Sequence, residues 1–274
     1  MDSNFLRLRL ALFLITLLLL AILEVKWPRR KLLFSKKGRW FINLALTVAN
    51  GLVIKIILGA AAVGVAIYAD EHGWGLINKL DLAWPVGFMA GFLFMDLMIY
   101  LQHVIMHALP FLWRFHIVHH TDLDFDVTTA LRFHPGEALL SMLYKMMLVA
   151  AIGADAWTVL IFEVVLNASA QFNHSNLAIP QEMDKKIRRL IITPDMHRIH
   201  HSIVTNDTNS NFGFFLSWWD RFLGTYRREP GLPQTDLPLG TKDYRNPDEL
   251  TLAYVLTMPF TKPRMGDYSM KSGG

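Results

Sequence analysis

The sequence predicts an all-α, multi-pass membrane protein with about three full spans, a helical hairpin and a histidine-rich cap on the cytoplasmic side. Three observations support this fold class. Of the 274 residues, 53% are hydrophobic and 18% charged, which is too apolar for an ordinary soluble domain. Several apolar runs are long enough for transmembrane helices. Ten of the eleven histidines lie between His103 and His201.

Three apolar segments are predicted to be full spans, because each can cross a hydrocarbon core of about 30 Å as a helix. They are residues 5–25, about 43–68 and about 84–108. The first is not interpreted as a signal peptide, since its basic flank follows the segment and no A-x-A-like cleavage site is present. Seven Lys or Arg residues in 26–39 place that loop in the cytoplasm.

The hairpin is predicted from two shorter apolar segments, residues 138–151 and 156–170, with Gly153 and Asp155 marking the turn. Whether it crosses the bilayer fully is left open. In either case both of its ends lie on the cytoplasmic side. Residues 107–137 and 171–274 are therefore expected to share one compartment.

The chain is divided into N-terminal transmembrane helices (1–91), a catalytic region (92–227) and a polar C-terminal tail (228–274), all within one structural domain. The tail contains six prolines, which favour extended segments that cover the core, with one short helix near residues 247–256. No internal repeat or low-complexity tract is present.

The histidines follow motifs that suit metal binding. One HxxxH pair at the end of the third span places two imidazoles on one helix face. Two HxxHH motifs follow, and each triplet is expected to bind one metal ion. The eight residues are His103, His107, His116, His119, His120, His197, His200 and His201.

Two further histidines, His134 before Pro135 and His174 after the hairpin, are expected near the same face. Ten imidazoles exceed the four to six ligands of one ion, so two metals are predicted. Imidazole suits iron, copper and zinc about equally, so the spacing does not select the element. The chain has no cysteine, which excludes thiolate and iron–sulfur sites.

The motifs resemble those of the fatty acid hydroxylase/sterol desaturase superfamily, in its sterol-desaturase-like branch. The resemblance covers about residues 92–227 and includes LRFHP at 131–135, FNHS at 172–175, TPDMHRIHH at 193–201 and WDRFLGT at 219–225. It implies a non-haem di-iron enzyme of monooxygenase type. Such an enzyme hydroxylates or desaturates a C–H bond of a lipid, which would be a sterol, a fatty acyl chain or an ether lipid.

The same resemblance implies that all ten histidines are ligands of two iron ions, for which zinc can substitute in purified samples. Dioxygen would be the co-substrate. Two external electrons per turnover require a separate ferredoxin, small cytochrome or reductase, since no redox-cofactor motif occurs here. Lys185, Lys186, Arg188 and Arg189 would form its docking patch or, alternatively, contact anionic lipid.

Two other functions are compatible with parts of the sequence. A zinc-dependent membrane hydrolase would use three histidines to activate water, but no HExxH occurs. A metal transporter or sensor would carry histidines at mid-depth across several spans, whereas most histidines here follow the third span. Nucleic-acid binding is not expected, because the basic residues cluster beside apolar segments. The bilayer and a lipid substrate are the expected partners, in a bacterial cell membrane or endoplasmic reticulum.

Polar residues near the motifs are candidates for orienting the imidazoles through their second ring nitrogen. These candidates are Asp96, Tyr100, Asn173, Asp195 and Asp220. A separate hypothesis pairs Lys55 with Asp96 within the membrane, because both fall near mid-depth of oppositely directed spans.

Overall fold

The computed structural model describes residues 3–58 and 62–261, and it confirms the all-α fold class. Within these ranges the only strand-like features are isolated β-bridges. Two short 3₁₀ turns, Val127–Leu131 and Met258–Phe260, accompany the α-helices. The helices are α1 Ser3–Lys26, α2 Lys36–Leu58, α3 Ala62–Glu71, α4 Leu76–Lys79, α5 Trp84–Ala108, α6 Pro110–His120, α7 Pro135–Ile152, α8 Ala156–Asn173, α9 Gln181–Ile187, α10 Pro194–His200, α11 Thr205–Thr208, α12 Trp218–Phe222 and α13 Leu252–Thr257.

Among the described residues, four stretches are long and apolar enough to cross a membrane: Arg7–Lys26, Lys36–Lys79, Trp84–Ala108 and Pro135–Ile152. The first and third correspond to predicted spans, and the second contains the predicted span of about 43–68. The fourth is α7, the first arm of the predicted hairpin. At about 1.5 Å per residue, its 18 residues rise about 27 Å, close to the thickness of the hydrocarbon core. The protein is therefore an integral membrane protein.

The hairpin tip forms where the sequence predicts it. Gly153 ends α7 in the left-handed region, with φ 73°, and the Asp155 side chain accepts hydrogen bonds from the N–H groups of Trp157 and Thr158 at the start of α8. The two arms of the hairpin, α7 and α8, each pack against α3 and α5. Apolar side chains of these four helices make the main membrane-embedded core.

The basic loop after α1 lies at the same end of the bundle as the histidines. Its arginines bind acidic groups there: Arg29 contacts Asp195 at 2.8 Å, and Arg39 contacts Asp122 and Asp126. Three-point guanidinium contacts of this kind tie α1 and α2 to the segments that carry the histidines. The basic residues that predict the topology therefore also help to pack the cap against α1 and α2.

The tail covers the outer side of this cap, as predicted. Its helix α13 lies within the expected region, and Val255 and Met258 pack in one apolar cluster with Trp113 and Ile117 of α6. A bridge between Ser202 and Leu239 holds the preceding segment. The part of the predicted tail from residue 262 onward lies outside the described residues.

The predicted Lys55–Asp96 pair is wrong. Asp96 is buried and accepts hydrogen bonds from Trp219 Nε1 at 2.7 Å and from the N–H of Leu216, whereas Lys55 is exposed on α2. A buried carboxylate requires hydrogen-bond donors, and here the segment that covers α5 supplies them.

Candidate metal centre

Nine of the ten predicted histidines converge in two adjacent groups, and all nine are buried. Within each group, the nitrogens that could bind a metal lie within 4.8 Å of one another. The first group consists of His103, His107, His116, His120 and His200, and the second of His119, His174, His197 and His201.

Helix periodicity explains how the motifs supply both groups. His103 and His107 lie one turn apart on α5 and join the first group. In each HxxHH motif the first and last histidines, four residues apart, face one group, while the middle histidine points about 100° away from the last and joins the other. The prediction that each triplet binds one ion is therefore wrong, because each triplet is divided between the groups.

In the hydrogen bonds described, four histidines of the two groups donate from the Nδ1 nitrogen. The acceptors are the carbonyl oxygens of Phe212 for His103, of Ser210 for His200 and of Ala170 for His174, at 2.7–2.9 Å. The fourth, His116, donates to the Glu137 carboxylate at 2.6 Å. These partners fix the tautomer, since an Nδ1 that donates a proton leaves Nε2 with a free lone pair.

The free Nε2 atoms face one another at short distances. The His103–His116, His107–His120 and His119–His174 pairs are 3.1 Å apart, and His174–His197 are 3.0 Å apart. In the His103–His116 pair both lone pairs point inward, so a hydrogen bond cannot form between two neutral rings. Such contacts repel unless a cation lies between them, and this arrangement fits a metal-binding role.

Burial also keeps these imidazoles neutral. It lowers the pKa of His119, His120, His197 and His201 well below the usual value, and the neighbouring imidazoles lower these pKa values further. Burial likewise brings the pKa of His200 to about 3. Neutral imidazoles are the form that binds metal ions, so the cluster is ready to accept cations at neutral pH.

His134 is the one predicted histidine that the structure does not bring into either group. It caps the N-terminus of α7, where its Nδ1 accepts from the N–H of Gly136, and its Nε2 lies 3.0 Å from the Leu256 carbonyl oxygen. The following proline places His134 in extended backbone at the helix entrance, so its ring engages this entrance and the tail.

The residues predicted to orient the imidazoles form hydrogen bonds with segments near the histidines and not with the histidines themselves. Asp220 accepts from the N–H groups of Phe212 and Gly213 and from Thr225 Oγ1, and the Tyr100 hydroxyl bonds to the same threonine. Together they hold the loop whose Phe212 carbonyl accepts from His103. Asn173 similarly donates to Phe214 O, and Asp195 binds Arg29 and Arg198. None of the five contacts a histidine of the cluster in the hydrogen bonds described.

Glu137 is the functional residue that sequence reasoning missed. Its position in the first turn of α7 has an ordinary explanation in the helix dipole, which favours an acidic residue there. In the structure its buried carboxylate binds His116, a residue 21 positions earlier in the chain. Only the fold brings these two residues together, so no local pattern could reveal the contact.

An apolar cavity of about 280 Å³ extends from the first group into the helical bundle. His103, His116 and Glu137 line one end, and the aromatic rings of Phe133 and Phe214 form part of its wall. A mostly apolar pocket with a few polar groups at one end suits a ligand with a hydrocarbon chain. The cluster is thus accessible from within the membrane-embedded region.

The model of the fatty acid hydroxylase family matches residues 88–225 of this chain, which is half of its length. This range contains most of α5, all of α6–α8 and all ten candidate histidines. No solved structure matches the chain.

Curated relatives are similar to this chain at low identity. Ornithine lipid hydroxylase OlsE of Rhizobium tropici is 26% identical over 244 residues, which cover 84% of this chain and 70% of that protein. Alkylglycerol monooxygenase of Xenopus tropicalis is 27% identical over 188 residues, covering 68% of this chain and 41% of that protein. Cholesterol 25-hydroxylase of Homo sapiens is 27% identical over 139 residues, which cover 49% of this chain and 49% of that protein. The chain thus spans less than half the length of the latter two relatives.

Proposed function

Because this chain belongs to the fatty acid hydroxylase family, we propose that it is a membrane oxidoreductase that uses dioxygen to hydroxylate or desaturate a C–H bond of a lipid. The observation that carries this proposal is the pair of buried histidine groups at the end of an apolar cavity within the membrane bundle. The relatives named above, which act on an ornithine lipid, alkylglycerol and cholesterol, support a lipid substrate.

We propose that each group holds one iron ion. The nine clustered histidines are the ligands, five for one ion and four for the other, and His134 is not included among them. All donors are nitrogen, a set compatible with iron, copper and zinc. Bound iron would supply the redox chemistry that activates dioxygen, which redox-inert zinc does not provide.

The number of donors supports iron over a structural zinc site. Five donors in the first group exceed the four of a typical zinc site.

The protein residues prepare the site and position the substrate. Glu137 and the Phe212 and Ser210 carbonyls fix three imidazoles of the first group with Nε2 facing inward. The apolar wall of the cavity binds the lipid chain against His103 and His116 and excludes water. Because the chain is held in one pose, position determines which C–H bond reacts.

The electrons are proposed to come from a separate protein. The sequence predicts that the four basic residues of 185–189 either dock this protein or contact anionic lipid. In the structure Lys185 pairs with Glu182, and Arg188 pairs with Asp184. Lys186 and Arg189 remain exposed. We therefore propose these two residues, on the outer side of the cap, as part of the donor or lipid-surface contact.

The proposed function is tested by measuring dioxygen uptake of the purified protein, reconstituted with ferrous iron, in lipid vesicles with a chemical reductant. We expect uptake that depends on the reductant and on added lipid, with oxidised lipid identified by mass spectrometry. The His200→Ala variant should show neither. Reductant-dependent uptake without any lipid product, or hydrolysis products in its place, would overturn the proposal.

A further inference from the structure

Three charged side chains meet inside the membrane bundle, away from the histidines. Arg9 of α1 contacts Glu163 of α8 at 2.8 Å, and Lys145 of α7 contacts the other oxygen of the same carboxylate at 2.9 Å. The Glu163 side chain is fully buried, and those of Arg9 and Lys145 are 24% and 12% exposed. We call these three residues the charged triad.

The triad carries one uncompensated positive charge, since two cations share one carboxylate. It also lies deep in the bundle. Lys145 is eight residues from Glu137 along α7, and Glu163 is eleven residues from His174 along α8, so the rises are about 12 Å and 16 Å. Within a hydrocarbon core about 30 Å thick, these rises place Lys145 and Glu163 well inside the core, and Arg9 reaches Glu163 from the part of α1 farther from the cap. An unpaired charge inside the core is costly and usually serves a function.

The triad also borders the route to the histidine cluster. Lys145 lines the cavity that ends at His103 and His116. Arg9 and Glu163 line a second cavity of about 380 Å³, and the two cavities share Phe13, Thr47 and Asn167 as wall residues. They therefore adjoin, with the triad at their junction and the histidines at one end.

The second cavity reaches the outer surface of the bundle. Two of its wall residues, Leu10 of α1 and Gly51 of α2, are exposed. On the membrane-embedded surface this exposure is to lipid tails. An amphiphile can thus enter from the bilayer between α1 and α2, pass the triad and extend its chain toward the histidines.

We propose that the charged triad binds a singly charged anionic group of the lipid substrate, such as a carboxylate. This inference rests on the proposed function and specifies its substrate class. One negative charge neutralises the triad and removes the cost of its excess cation. Since an extended chain advances about 1.2 Å per bond, the oxidised carbon lies about ten to thirteen bonds from the anionic group.

A purely structural role explains the triad less well. A buried Glu163 needs only one cation to neutralise it, and Arg9 alone already makes a 2.8 Å contact. The second cation, Lys145, lies on the opposite side of the carboxylate and lines the cavity that leads to the histidines. Its position fits contact with a ligand in that cavity.

The test is a binding measurement that needs no turnover. Tritiated palmitate is bound to the iron-loaded protein in neutral detergent, without oxygen or reductant and at mildly alkaline pH, and is displaced by unlabelled palmitate, hexadecanol or hexadecylamine. The variants are Lys145→Met, which leaves the triad neutral, and Lys145→Arg, which retains its charge. Lys55→Met, an exposed lysine of α2, is the matched control.

We expect the wild type, Lys145→Arg and Lys55→Met to bind palmitate at least about tenfold more tightly than hexadecanol, and Lys145→Met to bind both about equally. Equal iron content in all four proteins shows that they are folded, and Arg9→Met replaces Lys145→Met if it fails this check. No preference for palmitate in the wild type, or an unchanged preference in the neutral variant, would overturn the inference. Missing oxygen uptake would instead contradict only the proposed function.

Discussion

Individual hydrogen bonds decide which nitrogen each histidine offers to a metal. His103, His174 and His200 donate Nδ1 protons to backbone carbonyls, and His116 donates to the Glu137 carboxylate. The carboxylate differs from the carbonyls in carrying a full negative charge. It therefore raises the basicity of His116 as a ligand more than a carbonyl does.

The Glu137→Gln substitution is predicted to lower metal affinity or activity by about 10–100-fold, because it retains the shape of the side chain but removes its charge. Iron content after dialysis and the initial rate of dioxygen uptake are the measurements. Glu182→Gln, at a carboxylate that is 81% exposed, serves as the control and should match the wild type. Wild-type values for Glu137→Gln would show that the charge is not needed.

His134→Asn is predicted to retain both metals, since asparagine can also cap the N-terminus of α7 and the cluster does not include residue 134. The loss of the Leu256 contact should cost about 1 kcal/mol of stability. Iron per chain and the melting temperature measure these two effects. Loss of one iron in a folded His134→Asn protein would restore His134 to the ligand set.

At this scale, sequence motifs identified the clustered histidines but not their partners. HxxxH and HxxHH are local patterns, so their residues could be named in advance. The division of His116 and His119 between two groups depends on how α6 is rotated in the fold. The Glu137 and Phe212 contacts join segments distant in the chain, and such contacts leave no local signal.

The packing of whole elements positions the cluster. The α3 helix and the loop after it pack on α7 and on the hairpin tip, where Gly75 meets Gly153. Gly75 has φ 90°, and a Cβ there would lie 2.1 Å from the backbone nitrogen of Gly153. The close approach of these two backbones anchors the far end of α7.

Gly75→Ala is therefore predicted to destabilise the protein by about 1–3 kcal/mol from backbone strain alone, with more from the clash. Thermal unfolding in detergent measures this effect. Gly38→Ala, where a Cβ meets nothing within 4 Å, is the control and should leave the melting temperature nearly unchanged. If both variants melt like the wild type, the hairpin tip is not held by this contact.

Element positions were largely predictable because apolar length and turn residues are local. The three spans and the turn at Gly153 and Asp155 follow from the sequence alone. The contact between Gly75 and Gly153 does not, since it brings together two loops with no shared pattern. The contact of Lys145 on α7 with Glu163 on α8, and the cavities beside it, are likewise properties of the assembled bundle.

Over the whole molecule, the basic loop, the histidine cap and the tail gather at one end of the bundle. Arg39 joins α2 to Asp122 and Asp126, and Arg30 donates to the Leu237 carbonyl in the tail. The acidic residues Asp70 and Glu71, at the C-terminal end of α3, lie at the opposite end of the bundle. By the positive-inside rule, we propose that the cap faces the cytoplasm.

This topology predicts opposite labelling of the two ends. The chain has no cysteine, so Lys37→Cys and Asp70→Cys each provide a single thiol at an exposed position. In intact cells a membrane-impermeant maleimide should label the cysteine at position 70 and should label that at position 37 only after permeabilisation. The reverse pattern would place the cap on the outer side.

Two metal ions held by nine histidines are the central feature of the proposed site. The most direct measurement is the iron content per chain after anaerobic purification and reconstitution with ferrous iron, for the wild type and for His200→Ala and His197→Ala. The wild type is predicted to bind two irons, which dioxygen oxidises, and each variant is predicted to lose iron from the group that contains its substitution. A folded wild-type protein that binds one iron or none would contradict the account.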